Sequence, residues 1–332
     1  MEFTPNPHDR LFKETLSHKE NARSFLEHYL SDYLLSSIDM NSLEVCKETF
    51  IQKELREYFS DLLYKADLSG MPGYLYFLFE HKSHSETRVS LQLLGYMQNI
   101  WNLHLKQGAL PLPVVIPIVL YHGGENWTGR NDLLHLFGRT EKQFVIHIPD
   151  FQYILYDLSR YPDEEIRGTV MFRVAMLLFK YVFHPDYHER LPSIFALLRS
   201  LLEKETGMQY IETIIRYVLS TVENMEAEDL KTMVEQTLSP EEGGLVMTLA
   251  EKLRTEGMEQ GIQQGIERGI EQGIQQGLLE GITALIEIKF GQSGRKLLLK
   301  IGKIEDTARL RQIKEAIKVS KDVQDLEKVL YH

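Results

Sequence analysis

One cysteine, two tryptophans and eleven prolines in 332 residues leave the chain little with which to staple or break itself. Cys46, being alone, cannot close an internal disulfide; this excludes a disulfide scaffold and points to a reducing compartment, the cytoplasm. No apolar run reaches the roughly 18 residues of a membrane helix. The longest candidate, 170–183, is interrupted by Arg173 and Lys180. The opening residues, Met1-Glu2-Phe3-Thr4-Pro5, lack the basic-then-apolar pattern of a signal peptide. Lysine and arginine number 37 against 48 aspartates and glutamates, so no uniformly phosphate-seeking surface is expected. His81, His84, His104, His122, His135 and His147 have no zinc-ligand spacing and read as ordinary polar or packed residues. There is no serine-hydrolase elbow, no Walker lysine after Tyr121-His122-Gly123-Gly124 and no dinucleotide fingerprint.

The composition that is present, 43% hydrophobic and 26% charged, is that of a soluble globular protein. At about 150 residues per domain, the length suggests two domains. The net charge of −11 is unevenly spread. Residues 201–250 carry 3 basic and 10 acidic residues, whereas 289–321 carry 10 basic and 3 acidic. That basic run is either a solvated helix face or a phosphate-contacting patch.

Along the chain, Asp9 is a candidate cap for a first helix, with Leu11, Phe12, Leu16, Phe25, Leu26 and Leu30 near helical spacing. Residues 61–68 read as a strand, 69–73 (Ser-Gly-Met-Pro-Gly) as a turn, and the aromatic run 74–79 as a buried strand, together a hairpin. Leu91, Leu94, Met97 and Trp101 mark a helix over 90–106, closed by Pro111 and Pro113. Residues 114–121 read as a further buried strand, with a bulge or an edge expected at Pro117. A last strand falls at 154–156. Helices are expected at about 164–183, 191–205, 208–222, 226–237 and 243–256.

Glycine then recurs every fourth residue from Gly257 to Gly281, each time followed by an apolar residue, Met258, Ile262, Ile266, Ile270, Ile274, Leu278 and Ile282. A four-residue step advances about 40° around a helix, so this stripe winds slowly. Seven interior glycines cost about 7 kcal/mol relative to alanine, so such a helix needs a partner surface. Three readings stand: packing on a second copy, packing within the chain, or a flexible linker. Arg268 lies beside Glu267 and Glu271, which permits pairing across helices.

The pattern that carries chemistry is the hairpin with the helix after it. Asp61 opens the first strand and Glu80-His81-Lys82 ends the second. Glu80 and Lys82, two apart on a strand, project to one face. Two carboxylates on paired strands beside an ammonium suit a hard divalent cation, which would polarise a phosphoryl oxygen and acidify a bound water. The lysine would position that water or neutralise developing charge. Gln92 and Tyr96, four apart on the following helix, share a face that could meet the same point. The plain alternative is a strand cap at Asp61 and an exposed strand end at Glu80–Lys82.

This series, Asp61, Glu80-x-Lys82 and Gln92-x-x-x-Tyr96, resembles the PD-(D/E)XK nuclease superfamily. More narrowly, Pro7-His-Asp-Arg-Leu-Phe-Lys13, Leu78-Phe-Glu-His-Lys-Ser83, the run 114–123 with Trp127, and the glycine repeat resemble the Rpn family of recombination-promoting nucleases, the YhgA-like transposase family. The resemblance implies metal-dependent DNA cleavage, with Asp61 and Glu80 as metal ligands, Lys82 as the catalytic lysine and Gln92 and Tyr96 as supporting residues. Glu14 is a candidate for the further acid that the superfamily often places on its first helix, and Asp9 matches the family's opening motif.

The expected fold is α/β, a restriction-endonuclease-like mixed sheet flanked by helices, followed by an all-helical half. The expected organisation is a nuclease-like domain (1–160), a helical domain (161–256), a glycine-repeat helix or linker serving oligomerisation (257–282) and a small helical segment (283–332). The expected function is a cytoplasmic, Mg²⁺-dependent DNA endonuclease (Mn²⁺ or Ca²⁺ as substitutes) associated with recombination. DNA and a second copy of the chain are its partners, and no membrane is involved. The alternative is a non-catalytic oligomeric DNA-binding or regulatory protein on the same fold.

Overall fold

The computed structural model describes residues 6–46, 62–80, 88–108, 110–202, 205–222, 225–304 and 306–331; for 78–80, 205, 260, 264 and 329–331 it describes the backbone alone. Two compact units divide the chain, 1–251 and 252–332.

The first unit opens with α1 (Pro7–Ser17) and α2 (Lys19–Tyr29). Asn6, not Asp9, caps α1: its side chain accepts from the His8 amide at 3.0 Å, and Pro7 fills the first helical position, where no amide proton is needed. Leu11, Phe12, Thr15 and Leu16 form the buried face of α1. A short α3 (Asp32–Leu35) leads into β1 (Ile38–Val45). The hairpin follows as β2 (Leu62–Leu68) and β3 (Met71–Glu80). Its turn has two residues, Ser69 (φ 56°) and Gly70 (φ 85°), the two left-handed positions that match the twist of paired strands. The Asp67 carboxylate accepts the Gly70 amide at 2.5 Å.

α4 (Val89–Lys106) crosses from β3 to β4 (Val114–Tyr121). An irregular connection containing the one-turn α5 (Lys142–Val145) leads to β5 (Ile154–Asp157). The sheet order is β1-β2-β3-β4-β5: β1, β2 and β3 are antiparallel, and β3, β4 and β5 are parallel. The chain is thus α/β in its amino-terminal part, with a mixed five-stranded sheet, and helical from residue 170 onward. Pro117 lies within a central strand, where an edge or a bulge was expected. It pairs with Tyr76 of β3, and on the other side β5 joins only from Ile118, so β4 is locally an edge at the proline.

Two apolar layers cover the sheet. On one face Tyr64, Leu75, Phe77, Ile118 and Leu120 pack with α1, α2 and the helices that follow β5. These are α6 (Val170–Tyr181), α7 (Tyr187–Leu197), α8 (Glu205–Thr221) and α9 (Ala227–Thr237). α6 is buried at 172, 174–179 and 181, on nearly every side, so it is an interior helix. On the other face Tyr76, Val119 and Tyr121 pack with Leu93, Tyr96 and Met97 of α4 and with Trp127.

α10 (Pro240–Phe290) begins in the first unit and ends in the second. It is helical through the whole glycine repeat. In the second unit Ile282 and Ile286 pack with α11 (Arg295–Ile301), α12 (Thr307–Val319) and α13 (Val323–Tyr331) around Leu297, Ile301, Leu310, Ile313, Ile317 and Leu326. No described helix is long and apolar enough to cross a membrane.

Phe25 joins the layers of the first unit. Its ring meets Tyr29, Phe77, Tyr156 and Phe172 at centroid distances of 5.2–5.7 Å and is 1% exposed. Phe25→Ala is expected to destabilise the fold by about 3–5 kcal/mol, read as a lowered urea midpoint. An unchanged midpoint would remove this ring from the core.

Candidate active site

In an open α/β sheet, ligands gather beyond the carboxyl ends of the parallel strands. Here those ends are level: Glu80 of β3 lies opposite Tyr121 of β4, and Tyr121 opposite Asp157 of β5. β2 runs the other way and starts at this same edge, with Leu62 opposite Phe77. Asp61 immediately precedes Leu62. Asp61 and Lys82 lie outside the described residues, and Glu80 is described by its backbone alone. The structure therefore positions β2 and β3, and of the three residues only the backbone of Glu80.

Gln92 and Tyr96 are placed fully. They sit one turn apart on α4, and the Gln92 Nε2 donates to the Tyr96 hydroxyl at 3.0 Å. The Tyr96 ring is 8% exposed and packs against Tyr76 of β3 at 5.2 Å between centroids. Strand alternation assigns position 80 to the same face as Tyr76. The Gln92–Tyr96 pair thus belongs to the sheet face that position 80 shares. Glu14 is exposed, two residues before Leu16, whose carbonyl takes the Tyr64 hydroxyl at mid-sheet. The first turn of α1, with His8 and Asp9, is the end nearer the carboxyl edge. Among the described residues, no group of three or more His, Cys, Asp or Glu side chains could hold a metal ion.

The edge carries residues that sequence reasoning passed over. His122 follows Tyr121 directly, is 2% exposed, and packs on Phe179 and Phe183 with ring centroids 5.1 and 5.6 Å away. His8, from the first turn of α1, lies 5.1 Å from His122, and its Nδ1 is 2.9 Å from the Tyr217 hydroxyl. Burial holds the Tyr217 phenol well above its ordinary titration range, so it remains neutral. The Asp157 carboxylate receives the Trp127 amide at 3.0 Å and pairs with Arg160 at 3.0 Å, which fastens the irregular connection to the end of β5. Pro7-His8-Asp9 was the one visible sign of this cluster. His122 carried none, because packed histidines look alike in a sequence.

The family model described as "Putative transposase, YhgA-like" matches residues 6–209. The chain belongs to this family. The chain is also similar to "Recombination-promoting nuclease RpnA" of Escherichia coli K12, 30% identical over 76% of this chain and 84% of the relative. "Recombination-promoting nuclease RpnD" of E. coli O157:H7 is 26% identical over 76% of this chain and 96% of its own. "Inactive recombination-promoting nuclease-like protein RpnE" of E. coli K12 is 28% identical over 76% and 83%. No solved structure matches the chain. The YhgA-like match covers the sheet, α6, α7 and the first residues of α8, so the family's shared region extends past the last strand into the helices.

Cys46, the lone thiol, follows β1 and donates its amide to the Leu63 carbonyl at 2.8 Å. Burial, with Glu44 nearby, pushes its thiol up to about 11, so the nucleophilic thiolate is scarce at neutral pH. Alkylation by iodoacetamide at pH 8 is expected to run about 100-fold slower than for an ordinary thiol and to rise steeply above pH 10. Rapid alkylation at pH 8 would contradict this burial.

Proposed function

We propose that the chain is a metal-dependent DNA endonuclease of the cytoplasm that acts in recombination, with its site at the carboxyl edge of β3 and β4. The observation that carries the reading is the β2–β3 register. It brings the amino end of one strand and the carboxyl end of the other to one edge, on the sheet face that α4 covers with Gln92 and Tyr96. Asp61 and Glu80 are the proposed ligands of a divalent cation, Mg²⁺ with Mn²⁺ or Ca²⁺ as substitutes. Their oxygen donors suit a hard ion. When bound, the cation supplies Lewis acidity at a phosphodiester. Lys82 is the proposed catalytic lysine, and Gln92 and Tyr96 orient the site from α4. The names of RpnA and RpnD support nuclease chemistry. The exposed basic residues Arg295, Lys296, Lys300, Arg311 and Lys318 of the second unit supply candidate phosphate contacts for a DNA partner.

A second reading, a non-catalytic oligomeric DNA-binding or regulatory protein on this fold, is favoured by the name of RpnE, an inactive nuclease-like protein about as similar to this chain as RpnA and RpnD are. Metal dependence separates the two. Purified protein is expected to nick supercoiled plasmid with Mg²⁺ or Mn²⁺ and to stop with EDTA. Asp61→Ala and Lys82→Ala are each expected to lower the rate at least about 100-fold, the scale of a lost electrostatic group in an active site. Nicking that both variants retain, or none by the wild type, would favour the second reading.

The glycine repeat supports self-association. Met258, Ile262, Ile266, Ile270 and Ile274 are 63, 57, 52, 58 and 40% exposed, and open space surrounds the glycines from Gly257 to Gly277. A large apolar row beside small residues allows two helix backbones to approach closely and cover each other, which offsets the helical cost of glycine. Deleting 257–281 removes about seven helical turns and so keeps the helix in phase. Light scattering should then report a fall from dimer to monomer mass. An unchanged mass would end this assignment.

A further inference from the structure

We propose that His8 is a positioning residue of the nuclease site and that Tyr217, reaching it from α8, makes the helical half a working part of that site. The inference rests on the nuclease reading above.

α1 is held along its length by phenol hydroxyls. Near its carboxyl end, Tyr64 of β2 donates to the Leu16 carbonyl at 2.5 Å. One residue earlier, the Thr15 hydroxyl meets that of Tyr210 at 3.0 Å. At the first turn, His8 Nδ1 meets Tyr217 at 2.9 Å. Tyr210 and Tyr217 are seven residues apart on α8, two helical turns, and therefore share one face. Both are nearly inaccessible to water, at 2% and 3%. Burial raises both hydroxyls, so they act as neutral fixed dipoles that set where α1 lies.

The first turn is the part of α1 whose position matters to chemistry. Its His8 ring packs against His122, the residue after Tyr121, and Tyr121 is the register partner of Glu80. Asp9, the next residue, has its Oδ1 buried from solvent. Release of the first turn would therefore unpack His122 at the end of β4, beside the strand end that carries Glu80. A displacement of about 1 Å in such a support lowers a rate by up to about 100-fold without touching the reacting groups.

Tyr217→Phe keeps the ring packing and removes only the hydroxyl. With metal, its kcat for plasmid nicking is expected to fall about tenfold with KM within about twofold. The melting temperature should fall by less than about 4 °C. His8→Ala should lose at least as much activity, and the double variant no more than His8→Ala alone, because both remove one interaction. His8→Asn, whose amide can pair with the phenol in either sense, should recover activity to within about threefold of wild type. Hydrogen exchange at residues 6–12 is the readout that needs no catalysis. It should quicken in Tyr217→Phe and His8→Ala and return toward wild type in His8→Asn. With an active wild type, unchanged exchange and kinetics in Tyr217→Phe, additive losses in the double variant, or failure of His8→Asn to rescue would each overturn this proposal alone. No metal-dependent nicking by the wild type would overturn the nuclease reading and this inference together.

Discussion

A two-residue turn governs the candidate site. Ser69 and Gly70 can lie between Leu68 and Met71 only in left-handed backbone conformations, and with them the register of β2 on β3 is set. From that pairing it follows that Leu62 faces Phe77 and that β2 begins where β3 ends. A slip of one residue would turn Tyr64 away from α1 and Tyr76 away from α4, because strand side chains alternate with a period of two. Both apolar layers therefore lock the same register, each from its own face. The parallel strands β4 and β5 then extend this edge, so several strand termini meet at one place.

Tyrosine hydroxyls perform much of the joinery around that sheet. Tyr29 reaches the Arg167 carbonyl at 3.0 Å, Tyr64 the Leu16 carbonyl at 2.5 Å, and Tyr210 the Met171 carbonyl at 2.6 Å. Each phenol fills the core with its ring and spends its one proton on a carbonyl of another element. A phenylalanine at these places would fill the same space and leave a carbonyl with one partner fewer, a buried one at Tyr64. The tyrosines thus fix α1 on β2, α8 on α6 and α2 on the segment before α6, a matter that apolar packing alone decides loosely.

Much of this was legible in the sequence. The hairpin is where it was expected, but its turn has two residues and not the five of 69–73. β3 begins at Met71, three residues before Tyr74, because Met71, Pro72 and Gly73 pair with Leu68, Asp67 and Ala66. α4, β4 and β5 stand within a residue or two of where apolar periodicity put them, since each carries a local signal. The α/β part followed by helices was legible for the same reason. β1 was not, because only two of its eight residues are buried and its pairing partner lies beyond a long intervening segment. Asn6 displaced Asp9 as the cap of α1, since Pro7 sets the first helical position. The continuous run expected toward Leu30 is two helices broken at His18, whose extended backbone separates them. The glycine repeat was the hardest segment: seven glycines argue against a helix, yet 240–290 is one. At the candidate site, Gln92 and Tyr96 were readable as an i, i+4 pair. His8, His122 and Tyr217 were not, because their meeting joins residues more than 90 positions apart and leaves no local spacing.

The interior position of α6 bears on how the protein is made. The sheet is complete once Asp157 has been synthesised, but α1 and α2 cover only part of the face formed by Leu75, Phe77, Ile118 and Leu120, and the rest is covered when α6 and α8 arrive. A ribosome adds about 5–20 residues per second, so that face waits for seconds with part of its apolar surface bare. The nascent sheet is at its most aggregation-prone in that interval. The first turn of α1, among the earliest parts synthesised, acquires its Tyr217 contact only after some two hundred further residues. The order of synthesis therefore keeps the strand edge unfinished until the helical half has left the ribosome.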